Sequence, residues 1–269
     1  MAELELHDVL DIESFTLSND PANVSVRIID KGTEPSSILK DIPAEKNLIT
    51  IAVKKYLRLI NKGGDFEFGI IKNIPAGAGL GGGSSNAATA IKIVAGLFGR
   101  GIDNYALEAG ISTGSDVSFF FKGGFAFVEG KGERISQIEI SNNSHILIVN
   151  NGIHINTGCA YNSLKRETSG IEIDCTDKKR EIEEQIVNVE KWKNLFRNDF
   201  ESAIFNQYPQ IGLIKEKIHK SGAVFSLMSG SGSSIFGVFN DKNRVENLKK
   251  TLEKIGNRVY YTKFHHKIN

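Results

Sequence analysis

Pro75-Ala-Gly-Ala-Gly-Leu-Gly-Gly-Gly-Ser-Ser85 is a run with little side chain and two hydroxyls at its end. Backbone N–H groups in such a run can close on an anion, because glycine permits the angles and the close approach. Phe66-Glu-Phe-Gly-Ile-Ile71 before it reads as a strand. Ala87, Ala90, Ile91, Val94, Ala95 and Phe98 after it recur at helical spacing, and Gly99 follows as a C-cap. The order is strand, glycine loop, helix N-terminus. The first turn of a helix has unpaired donors and the positive end of the dipole, so phosphate is the ligand this order suits. A flexible linker would be polar and would lack a buried helix behind it.

Two familiar phosphate loops do not fit. The Walker loop needs Lys before its hydroxyl residue, and Gly83 stands there. Gly77-x-Gly79-x-x-Gly82 matches the dinucleotide fingerprint by letter. That fingerprint needs a second strand ending in an acid about twenty residues on. Asp103 is near that distance, but Ile102 to Glu108 reads as the start of another helix.

Two further segments carry candidate chemistry. Leu227-Met-Ser-Gly-Ser-Gly-Ser-Ser-Ile-Phe236 is a second glycine loop between apolar runs, and by itself it reads equally as a hairpin turn. Gly114-Ser-Asp-Val-Ser-Phe-Phe120 presents Asp116, which suits a proton acceptor or a turn and cap residue.

Around these segments, Val24, Val26 and Ile28 alternate as in a strand, and Glu45 to Ile60 has the spacing of an amphipathic helix ended by Asn61-Lys-Gly-Gly64. Val117–Phe121, Phe125–Val128, Arg134–Ile140 and His145–Asn150 read as strands. Asp177–Phe196 reads as one charged helix with Ile182, Ile186, Val189 and Trp192 as its stripe. A helix over Tyr208–His219, strands over Ala223–Met228 and Ser234–Phe239, a helix over Asn243–Leu252 and a strand over Arg258–Phe264 complete the chain. Helices and strands mix without regular alternation, which predicts α+β rather than a doubly wound sheet.

With 33 basic and 32 acidic residues in 269, the chain offers no field for nucleic acid or acidic lipid. No apolar run reaches the length of a membrane span, and no secretory signal opens the sequence. Cys159 and Cys175 are too few for a disulfide framework or a zinc site, and the six histidines lack ligand spacing. A soluble cytoplasmic enzyme fits this composition.

The first glycine loop resembles the phosphate loop of the GHMP kinases, and its triple glycine is similar to the branch that phosphorylates 4-diphosphocytidyl-2-C-methyl-D-erythritol. Leu227 to Phe236 resembles that superfamily's third motif. Gly114 to Phe120 is similar to the branch's Gly-Ala-Asp-Val-Pro-Phe-Phe, with Ser115 for Ala and Ser118 for Pro. Pro43-Ala-Glu-Lys-Asn-Leu-Ile49, Gly130-Lys-Gly-Glu-Arg134, Asn156-Thr-Gly-Cys-Ala-Tyr161 and Asn198-Asp-Phe-Glu201 extend the likeness, the last matching a family Asn-Asp-Leu-Glu that reads as a helix start.

The resemblance implies a two-domain fold: a ribosomal protein S5 domain 2-like N-terminal domain over 1–142, with a left-handed βαβ crossover, and a ferredoxin-like α+β domain over 143–269, with the active site in the cleft between them. It implies ATP and Mg²⁺ as cofactors and a small-molecule substrate, for a monomer or homodimer. Pro75, Ala76, Gly77, Ala78, Gly79, Leu80, Gly81, Gly82, Gly83, Ser84 and Ser85 would hold the phosphates, with Ser84 or Ser85 toward the metal. Asp116 would be the catalytic acid–base. His7, Thr157, Tyr161, Gly230, Ser231 and Gly232 would meet the substrate, Tyr161 by stacking on the cytosine. Tyr161 reads equally as a core aromatic on a helix, and His7 as a surface residue.

The family's Pro-Ala-Lys-x-Asn-Leu strand has no counterpart in this sequence. Three readings follow: a displaced start, another cation such as Lys72 or Lys122 in its role, or a nucleotide binder without chemistry. Asn86 stands where the family usually has Asp after Ser-Ser, keeping the shape without the charge.

Overall fold

The computed structural model describes residues 1–32, 42–164 and 175–265. These form two compact units. One comprises Met1–Glu3, His7–Ala76 and Gly81–Gln137. The other comprises Leu4–Leu6, Gly77–Leu80 and the chain from Ile138 on.

In the first unit the central strand is set by alternation. Phe66, Phe68 and Ile70 point to one face of β3 (Gly63–Ile71) and are buried, whereas Asp65 is exposed. β1 (Val9–Ser18) pairs antiparallel with β3, with a register shift between Ile12 and Ser14, and β2 (Val24–Asp30) pairs parallel with it, giving the order β1-β3-β2. Parallel neighbours need a crossover, and α1 (Leu48–Leu59) supplies it. Ile49, Ala52, Val53, Tyr56 and Leu57 of α1 pack with Ala87, Ala90, Ile91 and Val94 of α2 (Gly82–Leu97) and with the β3 phenylalanines. Each large side chain so buried contributes about 1.5–3 kcal/mol. The unit is completed by α3 (Asn104–Thr113), capped by the Asp103 carboxylate on Ala106 N–H, by α4 (Phe119–Lys122) and by the hairpin of β4 (Ala126–Glu129) and β5 (Arg134–Gln137).

Three expectations need correction here. The helix expected from Glu45 begins at Leu48, because Asn47 accepts from Ile49 N–H as N-cap and leaves Ala44–Lys46 as a separate 3₁₀ turn. Gly63 and Gly64 do not end that helix but open β3. The helix ends at Leu59 with Ile60 as C-cap, and Asn61 follows in the left-handed region. Val117–Phe121 is not a strand. Val117 N–H bonds Gly114 O and Phe120 N–H bonds Val117 O, so the backbone turns into α4.

The second unit is built on β6 (His145–Asn150), followed by α5 (Thr157–Ser163), α6 (Thr176–Gln185), α7 (Trp192–Leu195), α8 (Phe200–Gln207), α9 (Pro209–Lys220), β7 (Phe225–Met228), β8 (Ile235–Phe239), α10 (Lys242–Glu253) and β9 (Arg258–Lys263). Its sheet order is β7-β8-β6-β9, antiparallel throughout. Counting its own strands, that is 2-3-1-4, the order of a ferredoxin-like sheet. Leu147 and Val149 of the sheet pack with Ile211, Ile214 and Ile218 of α9 and with Val245, Leu248 and Leu252 of α10.

The single helix expected over Asp177–Phe196 is broken. α6 stops at Gln185, Asn188 caps a new turn through Glu190 N–H, and the Trp192 indole donates to Ile186 O at 2.7 Å. The stripe of apolar residues is still buried; the backbone bends to bury it.

Candidate active site

The glycine loop is fastened on its first-unit side by one carboxylate that no local pattern announces. Asp8 Oδ1 accepts from Asn73 N–H and Ile74 N–H, each at 2.8 Å, where β3 leads into the loop. Asp8 Oδ2 accepts from the Asn86 side chain at 2.9 Å, on α2 beyond the loop, and is ion-paired with Lys72. The Asp8 side chain is only 2% exposed and that of Lys72 11%. Lys72 is therefore engaged at the base of the loop. Lys122, the other candidate cation, is exposed at the end of α4.

Within the loop, Pro75 is buried and Ala76 half-buried. Gly81 caps α2, and Ser85 N–H makes its first bond to Gly81 O at 2.9 Å. The amides of Gly82, Gly83 and Ser84 thus lie ahead of the first helical bond, where an anion is stabilised. Ser84 and Ser85 are partly exposed in that first turn.

Gly77–Leu80 packs in the second unit, against the second glycine loop. Ser229 Oγ donates to Gly79 O at 2.7 Å and Ser234 N–H to Ala78 O at 3.2 Å. Gly79 has φ +75°, and a Cβ there would fall 2.2 Å from Ser229 O and 2.8 Å from Gly232 O, so only glycine fits. The exposed His154 ring lies over Gly77. The structure thus brings Gly77–Leu80 together with Gly230, Ser231 and Gly232, and Thr157 joins them: its Oγ1 is 3.2 Å from Ser231 Oγ. Buried Asn150 donates to Ser233 Oγ and Ser234 Oγ, both at 3.2 Å.

Tyr161 lies on α5, as one reading had it, but is 63% exposed, which removes the core-aromatic alternative. His7 is exposed; its carbonyl accepts from the Asn73 side chain at 2.8 Å.

Asp116 sits in the turn that leads into α4. Its side chain reaches solvent, yet crowding by the surrounding chain raises its carboxyl above the ordinary carboxylate pKa, with the Met1 ammonium opposing that shift. The turn rests on Gly132, whose φ is +98° and where a Cβ would fall 1.8 Å from Ser115 O. The Gly-Lys-Gly-Glu turn is thus the floor under Asp116.

Sequence reasoning missed Asp8, His154 and Asn150. Asp8 lies 65 residues before Asn73 and 78 before Asn86, beyond any local signal. Among the described residues, no group of three or more His, Cys, Asp or Glu could hold a metal ion.

Residues 47–124 match the GHMP kinases N terminal domain and residues 182–258 the GHMP kinases C terminal domain. A 4-diphosphocytidyl-2-C-methyl-D-erythritol kinase of Thermodesulfovibrio yellowstonii is 33% identical over 272 aligned positions, covering 97% of this chain and 87% of that protein. One from a Geobacter species is 36% identical over 209, covering 77% and 72%. A crystal structure of 4-(cytidine 5'-diphospho)-2C-methyl-D-erythritol kinase superposes with a TM-score of 0.71 at 23% identity, over 99% of this chain and 89% of its own. Homoserine kinase from Cytophaga hutchinsonii does so with 0.69 at 19%, over 96% and 85%. Those two structures share the fold. The chain belongs to the GHMP kinases and, within them, to the family of the 4-diphosphocytidyl-2-C-methyl-D-erythritol kinases.

Proposed function

We propose that this chain transfers the terminal phosphoryl group of ATP to the 2-hydroxyl of 4-diphosphocytidyl-2-C-methyl-D-erythritol. The observation that carries the proposal is the pair of glycine loops, locked together through Ser229 and Gly79, in a chain of this family.

The loop fits a polyphosphate. Its residues are mostly small, Gly79 leaves no room for a Cβ, and the amides of Gly82, Gly83 and Ser84 precede the first helical bond of α2. Gly77 to Ser85 would bind it by backbone donors, and Ser84 or Ser85 would supply hydroxyl oxygens to Mg²⁺, a cation that takes oxygen ligands alongside substrate phosphates. ATP supplies the transferable phosphoryl group. Asp116 orients the acceptor hydroxyl and takes its proton as the bond to phosphorus forms. Tyr161 stacks on the cytosine, and Thr157 and Ser231 donate or accept beside it. Catalysis comes mainly from positioning and from charge stabilisation.

The deciding experiment is ADP release from Mg-ATP with the diphosphocytidyl acceptor. Turnover that free CDP suppresses competitively against the acceptor supports the proposal. Turnover on another alcohol, indifferent to CDP, assigns a different GHMP acceptor. ATP binding with no ADP produced on any alcohol identifies a nucleotide binder.

A further inference from the structure

Residues 198–201 lead into α8, and their contacts reach two parts of the candidate site. Asn198 Nδ2 donates to Met228 O at 2.7 Å and to Gly230 O at 2.8 Å, so one amide spans the entry to the second glycine loop. Its Oδ1 accepts from Phe200 N–H at 2.9 Å, which fixes the side chain's orientation. Glu201 Oε1 accepts from Met228 N–H at 2.8 Å, while Oε2 is held by Lys215 at 2.5 Å. Both the N–H and the C=O of Met228 are therefore bound by this segment.

Phe200 turns the other way. Its ring meets Tyr161 edge-on, with centroids 5.0 Å apart and planes at 83°. Tyr161 stands on a seven-residue helix and keeps most of its surface exposed. An exposed tyrosine on so short a helix has rotamer freedom to lose before it can stack on a flat ligand. The Phe200 ring removes part of that freedom in advance.

We propose that Asn198, Phe200 and Glu201 are positioning residues that set the Tyr161 ring and the second glycine loop in one geometry, so that recognition of the acceptor's cytosine and placement of the loop are coupled. This rests on the function proposed above. None of the three need touch the reacting atoms.

The test is calorimetric binding of CDP, with a non-hydrolysable ATP analogue saturating the nucleotide-donor site. An edge-on aromatic pair predicts that Phe200→Ala weakens CDP about two- to tenfold. In a Tyr161→Ala background the same change should have no further effect, and Phe200→Tyr should restore binding. Asn198→Ala should weaken CDP as well, and less than additively with Phe200→Ala. Phe200→Leu keeps most of the volume and guards against a variant that merely unfolds. It should lose CDP affinity at an unchanged thermal midpoint. CDP affinity that is equal in the wild type and in Phe200→Leu and Phe200→Ala overturns the inference alone, as does an undiminished effect in the Tyr161→Ala background. A wild-type chain that binds no CDP overturns the proposed function and the inference with it.

Discussion

The side-chain amide of Asn86 donates to the carboxylate of Asp8 at 2.9 Å. This bond explains the residue that follows the two serines of the loop. An amide can donate to a buried carboxylate, whereas an Asp there would face it with a second negative charge. The same carboxylate holds Lys72 and the amides of Asn73 and Ile74, so both flanks of the loop hang on it.

Removing that carboxylate leaves the Lys72 ammonium without its partner in a largely buried place. Asp8→Ala should cost about 3–5 kcal/mol, seen as a lower denaturant midpoint. Asn86→Asp should cost about 1–3 kcal/mol, since it loses the donor and opposes two carboxylates. A midpoint unchanged in both variants would remove Asp8 as the anchor of the loop.

At Gly79 a side chain has nowhere to go. Gly79→Ala must accept a left-handed residue, at about 1–2 kcal/mol, and drive its Cβ into Ser229 O. The loop should shift, and KM for ATP should rise about tenfold. An unchanged KM would separate this close approach from nucleotide binding.

Asp116→Asn should lower kcat by about 100- to 10,000-fold while ATP binding persists. Its pH dependence has a definite sign. Because the folded state raises the Asp116 pKa, the fold holds this proton more tightly than the unfolded chain. The group's contribution is full below the unfolded pKa and is lost as pH rises through the folded one. At neutral pH the charged carboxyl therefore weighs against folding, and Asp116→Asn should be at least as stable as the wild type. Below the unfolded pKa that difference should vanish. Turnover of the wild type should fall on the acid side at a pH above the pKa of an ordinary aspartate. Thermal midpoints and rate profiles across pH check both statements.

Gly132→Ala tests the floor beneath the acid. With φ +98° and Ser115 O in the path of a Cβ, the turn carrying Asp116 must move. A displacement near 1 Å predicts a fall in kcat of about 100-fold with KM for ATP little changed. A parallel loss of both would mean that Gly132 serves the fold in general.

The strand–loop–helix order was legible because each part is local. Phe66, Phe68 and Ile70 alternate, the glycines follow at once, and the α2 stripe repeats at helical spacing. The Val117–Phe121 run misled because apolar density resembles a strand, while the turn bonds from Gly114 decide the backbone. Asp177–Phe196 misled in the opposite way: its stripe fits one helix, and only the Trp192 indole on Ile186 O shows the break. β1 was unread because the register shift between Ile12 and Ser14 spoils its alternation.

By itself the sequence determined the candidate phosphate loop, the candidate acid and the family, because those depend on residue types at fixed short spacings. Only the tertiary structure decided what holds them. Asp8 reaches Asn86 across 78 residues, Ser229 reaches Gly79 across 150, and Asn198 reaches Gly230 across 32. Hydrogen bonds between groups so far apart in the chain leave no periodic trace. They depend on how the hydrophobic faces of each unit pack, which sets the polar groups within hydrogen-bonding range.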